Sequence, residues 1–245
     1  MAEPDERLVI LRLSRAFEVT LENIARQVAE GEYHDIGIRF GEFLAAMLDR
    51  VILRELAGPP AAQGILPLDT IHIVSAKVFD VMSGGMAGGP YVDLLIQIVV
   101  EGGWLTAGWG LPLVFRAVRP FGRISEAEWT ELREVAKVLR DVSPSARVVL
   151  VSIDGEPFGD PNAKLVQPDQ VVQAIPAHIV AGYQRPPRGM TGQRLDSFAY
   201  HFATGAIGDP QLAPGGWMLR DFLRIVRLGL LVEIRIVAEG RTPRR

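Results

Sequence analysis

The chain has 245 residues, 48 % of them hydrophobic and 22 % charged, with no cysteine and a formal net charge of −3. Length and apolar content of this order support a substantial core and exclude extended disorder. The missing cysteines exclude disulfides, thiolate zinc sites, iron–sulfur clusters and a cysteine nucleophile. The slightly acidic balance makes nucleic acid a poor expectation as main partner.

In chain order, apolar residues at three-and-four spacing (Leu8, Leu11, Ala16, Val19, Ile24, Val28, then Ile36, Phe40, Phe43, Leu44, Met47, Val51) predict two amphipathic helices between 6 and 56. They break at Gly31-Glu32-Tyr33-His34 and form an antiparallel hairpin, which ends before Gly58-Pro59-Pro60. That segment is the candidate linker between an N-terminal hairpin, 1–57, and a mixed domain, 65–245, unless the two pack as one. The acidic start at 1–7 does not suit a secretory signal, so a cytoplasmic location is expected.

Three strands follow at 69–78, 91–100 and 105–118, the last bent at Gly108, Gly110 and Pro112. With little room for helices between them, they are expected to pair antiparallel. The apolar window 94–115 is interrupted by Glu101, four glycines and Pro112, and no membrane-spanning helix is predicted. Ser125-Glu126-Ala127-Glu128 is a capping box that opens a helix ending near Asp141. A strand at 147–153 comes next, then a proline-rich excursion at 167–192 whose apolar run is 171–180. The chain closes with a helix at 195–204, a turn at Gly208-Asp209-Pro210, a helix at 217–228, a strand at 230–237 and a loose tail. The fold class is therefore α+β: an N-terminal helical hairpin, a central mostly antiparallel sheet, and further helices packed on it.

Four constellations carry candidate chemistry. Gly84, Gly85, Gly88 and Gly89 form a glycine-rich loop whose amides can approach a ligand phosphate, without the lysine and Ser/Thr of a P-loop. A plain hairpin loop explains the same residues. Ser83 resembles half of a nucleophile elbow, but Val81 stands where glycine is needed. In the second strand Asp93, Gln97 and Glu101 fall on one face and, with Asp80 and Lys77, outline a divalent-metal site of nuclease type. The acidic-x-lysine pair of such nucleases is absent, and a solvated strand face accounts equally for the pattern. The four histidines are scattered, none paired at metal-binding spacing.

The segment 195–202, Leu-Asp-Ser-Phe-Ala-Tyr-His-Phe, followed by Gly205, Asp209 and Trp217-Met218, resembles the C-terminal part of bacterial patatin-like proteins, and Val74-Ser75-Ala76 is similar to the end of an upstream strand there. That family needs an oxyanion glycine run, a Gly-x-Ser-x-Gly serine and an Asp-Gly; here only Asp154-Gly155 matches. The resemblance thus implies a non-catalytic relative. Two functions remain open on the sequence. One is a non-enzymatic interaction or accessory protein that meets protein partners or itself. The other is a metal-dependent hydrolase or nuclease using Asp80, Asp93 and Glu101, possibly with Asp154, assisted by Lys77.

Overall fold

The computed structural model describes residues 4–32, 34–56, 71–80, 91–101, 107–119, 124–153, 158, 171–185 and 195–238. Helices α1 (Pro4–Ala29) and α2 (Ile36–Leu56) form the expected hairpin. Gly31 ends α1 at φ +93°, a left-handed conformation that glycine adopts without strain. Ile36, Phe40, Leu44 and Leu48 recur every fourth residue along α2, and all are buried. Together with Leu13, Phe17, Leu21 and Ile24 of α1 they pack into the same core as one face of the sheet.

The sheet has six strands: β1 (Ile71–Asp80), β2 (Tyr91–Glu101), β3 (Ala107–Val118), β4 (Arg147–Ser152), β5 (Val172–Pro176) and β6 (Arg227–Ala238). Their order is β1-β6-β2-β3-β4-β5. Three of the five pairings are antiparallel, β1 with β6, β2 with β3 and β4 with β5, while β6–β2 and β3–β4 are parallel. The expected direct pairing of the first two strands is overturned, because the C-terminal strand inserts between them. Strand β6 can do so because its Leu230, Val232, Ile234 and Ile236 are as apolar on the hairpin face as their β2 partners.

The second face is covered by α3 (Glu126–Val142), α4 (Ala177–Gly182) and α6 (Leu219–Ile225), which bury Trp129, Leu132, Val180 and Phe222 against Leu95, Val114, Val148 and Leu150. The capping box forms as read: Ser125 Oγ accepts from the Glu128 amide, and the Glu128 carboxylate accepts from the Ser125 amide. Of the expected excursion, the described apolar run at 171–180 divides into β5 and α4. The helix expected over 217–228 is shortened, because parallel pairing with β2 draws residues from Arg227 onward into β6.

Two irregularities shape the rest. Side-chain alternation slips at Asp93 and at Gly229, which lie at the same level of the β2–β6 pair: Val92 and Leu228 face the second core, Leu94 and Leu230 the first. A Cβ at Gly229 would come within 2.5 Å of the Tyr91 hydroxyl and 2.8 Å of the Asp93 carbonyl, so only glycine fits this double kink. The other irregularity is a crossing. Strand β4 flanks β3 only from Leu113 onward, leaving an edge that Asp209 occupies through two 2.9 Å bonds with Gly110. Residues 204–216 thereby carry the chain from α5 (Leu195–Ala203), on the hairpin face, past the edge of β3 to α6 on the other face.

Candidate functional site

The strand register decides which acidic candidates meet. Asp93 and Glu101 occupy opposite ends of β2, about 26 Å apart at about 3.3 Å per strand residue, and do not share an ion. Asp80 pairs with Leu230, which pairs with Leu94, so β1 brings the Asp80 backbone to the Asp93 end of the sheet. Lys77 pairs with Glu233, itself the partner of Gln97, and so belongs to the middle of the sheet. Gly84, Gly85, Gly88, Gly89 and Asp154 lie outside the described residues. Among the described residues no cluster of three or more His, Asp or Glu side chains is placed to hold a metal.

Asp93 sits beneath the start of α2, with Gly37 so close that a Cβ there would run into the Cβ of Asp93. Its carboxylate accepts from the Phe115 amide at 2.6 Å and pairs with Arg116 at 3.3 Å, and its side chain is 14 % exposed. The carboxylate supplies an acceptor for Phe115 at the kink. Burial pushes its carboxyl above the ordinary range, and Arg116 with the Phe115 amide only partly offsets this. Tyr91 is raised too, first by burial and then by the charges of Asp93 and Asp35.

A carboxyl whose folded pKa lies above its unfolded value of about 3.9 stabilises the fold fully at lower pH and loses that contribution as pH rises through the raised value. Asp93→Asn keeps an acceptor for Phe115 and removes the buried charge. It is therefore expected to melt no lower than wild type at pH 7, the difference narrowing as pH falls toward about 4. Melting curves across that range check this; a variant clearly less stable at neutral pH would show that the Arg116 pair outweighs burial.

Ser197 and His201 stand one turn apart on α5, within the segment that carried the patatin-like resemblance, with Oγ and Nδ1 3.5 Å apart. That is the outer limit of a hydrogen bond, longer than nucleophile–base pairs usually show. Arg235 of β6 bridges Glu101 at 3.5 Å and Glu233 at 3.4 Å, so the Glu101 end of the sheet carries a charge network that neutralises itself in part.

A cleft among the described residues lies where the chain crosses the sheet edge. Its volume is about 540 Å³, and Val99 and Gly108, register partners on β2 and β3, are in its lining. Trp109, Thr204 and Gly205 lie toward α5, and Pro210, Ala213, Pro214, Gly215 and Gly216 of the crossing segment complete it. Trp109 is fixed by a 2.8 Å bond from its Nε1 to the Phe202 carbonyl, and Gly205 and Gly208 pack close enough that a Cβ on either would press on its side chain. The crossing is pinned from behind: the buried Asp209 carboxylate accepts from Ser143 Oγ at 2.8 Å and from the Gln211 amide at 3.0 Å, and Gln97 Nε2 donates to the Leu212 carbonyl at 2.6 Å. Among the described residues no ionisable side chain lines the cleft. Trp217, one residue beyond Gly216, is 71 % exposed.

No family model, no curated protein and no solved structure matches this chain. The cleft therefore has to be read on its own chemistry. Sequence reasoning passed over it: Gly108 and Gly110 register there as a bent strand and Gly208-Asp209-Pro210 as a turn. Only the pairing of Gly110 with Asp209 turns these signals into two sides of one cavity. Among the described residues no helix is long and apolar enough to cross a membrane.

Proposed function

We propose that this chain is a non-enzymatic accessory protein that works by binding, holding a small molecule in the cleft beside Trp109 and offering protein partners the surface around Trp217. The observation that carries the reading is the combination of a cleft of about 540 Å³ with a lining of glycine, proline, alanine, valine, threonine and tryptophan. Its size is that of a ligand pocket, and its described lining holds no side chain suited to move a proton or act as a charged nucleophile. Asp93, largely shielded from solvent, is packed under α2 and is not in the lining of the cleft. On this reading the patatin-like resemblance of 195–218 is that of a relative without the family's serine.

The alternative, a metal-dependent hydrolase or nuclease, draws its support from the register that brings Asp80 and Asp93 to one end of the sheet. Melting temperatures with and without Mg²⁺ or Mn²⁺ separate the two. A ligand selective for the folded state raises the transition by mass action. The binding reading expects no ion-dependent rise in wild type or in Asp93→Asn. A rise in wild type that Asp93→Asn abolishes would replace it with the metal reading.

A further inference from the structure

We infer that the cleft beside Trp109 takes an uncharged, planar ring compound bearing an N–H or O–H donor; this rests on the binding reading above and narrows it to a ligand class. Charge is the first criterion. The described lining offers an entering ion no counter-charge, and leaving water without one is costly. The guanidinium nearest in register, that of Arg235 beside Val99, is shared between Glu101 and Glu233 at 3.5 and 3.4 Å. Asp209, on the far side of the crossing, is 5 % exposed and already accepts from Ser143 and Gln211.

Shape is the second criterion. Val99 and Gly108 are directly paired, and the glycine adds no side chain to its part of the lining. The Trp109 ring is held by Phe202 and by the two glycines packed on it. A ring fixed before the ligand arrives loses no side-chain freedom on binding, and aromatic rings favour offset or edge contact with a second ring.

Thr204 supplies the third criterion. Its hydroxyl proton is directed to the Tyr200 and His201 carbonyls, each at 3.1 Å. Thr204 belongs to the cleft lining, and with its proton so engaged the hydroxyl has only lone pairs left to offer a ligand, which meets them by donating.

The test uses the full chain with three probes, indole, 1-methylindole and indole-3-acetate, measured by ligand-observed NMR against wild type, Thr204→Val and Thr204→Trp. Thr204 is exposed, so both variants are expected to fold, which their melting curves check. Indole is expected to bind wild type, with 1-methylindole and indole-3-acetate at least tenfold weaker. Thr204→Val should bring indole down to the level of 1-methylindole, and Thr204→Trp should abolish its binding. Equal binding of indole and its acetate, no indole binding by wild type, or undiminished binding by Thr204→Trp would overturn the ligand class. Native mass spectrometry of the purified protein keeps the two levels apart. A co-purified small molecule present in wild type and lost in Thr204→Trp upholds the binding reading even where the indole series fails, whereas bare chain together with no probe binding removes both.

Discussion

Phe40→Ala is expected to destabilise the protein by about 3–5 kcal/mol, the range for emptying a fully buried phenylalanine site. The Phe40 ring lies 5.8 Å from that of Phe17 and 5.1 Å from that of Phe115, and Phe17 in turn lies 5.2 Å from Phe202. This chain of rings ties α1, α2, β3 and α5 together, so the cavity opens where four elements meet and none can move in to fill it alone. Domains are stable by only about 5–15 kcal/mol, and a loss of this size shifts the urea midpoint strongly. Phe43→Ala, one turn away on the same helix but 36 % exposed, serves as the control and should cost far less. Equal midpoints for the two variants would mean that the hairpin contributes little to the common core.

Gly208→Val should be the most damaging change near the cleft. A Cβ at this position would collide with the Trp109 side chain, reaching within 2.5 Å even of the farthest of its three nearest atoms, the Trp109 Cβ. The ring has no free retreat, because its Nε1 is bonded to Phe202 and Gly205 packs so close that a Cβ there would stand 3.3 Å from ring atoms. Overpacking of this kind costs about 1–3 kcal/mol, and more where backbone must shift. The upper end is expected here, with loss of the near-ultraviolet signal of a fixed tryptophan. Gly182→Val is the matched comparison, since nothing lies within 4 Å of a Cβ placed there. If both variants keep the wild-type near-ultraviolet spectrum, Trp109 is not held as described and its place in the cleft falls with it.

The same residues explain how much of the molecule was legible in the sequence. The helical hairpin was readable because its apolar residues follow the 3.6-residue period, and Gly31 marks its turn with a conformation that glycine adopts freely. The third helix was readable because Ser125 and Glu128 satisfy each other's backbone amides within four residues. Strands β2 and β3 were readable for the same local reason. The place of β6 was not: nothing local in 227–238 states that it lies between β1 and β2, because that choice depends on matching faces of strands far apart in the chain. Asp93 and Glu101 stay apart for a reason already present in the sequence, since two residues on one extended strand are separated by its length.

Composition, periodicity and capping thus determined by themselves that the chain folds as α+β, that it opens with a helical hairpin, and that cysteine chemistry is closed to it. Each of these depends on residues within a few positions of one another or on simple counts. Tertiary structure alone decided the strand order, the kink shared by Asp93 and Gly229, and the cleft between Val99, Trp109 and the crossing segment. Those features arise from contacts between residues roughly a hundred or more positions apart, such as Gly110 with Asp209 and Gln97 with Leu212. Such pairings are settled by which surfaces bury best against each other once the whole chain has collapsed, and local propensity carries no record of that outcome.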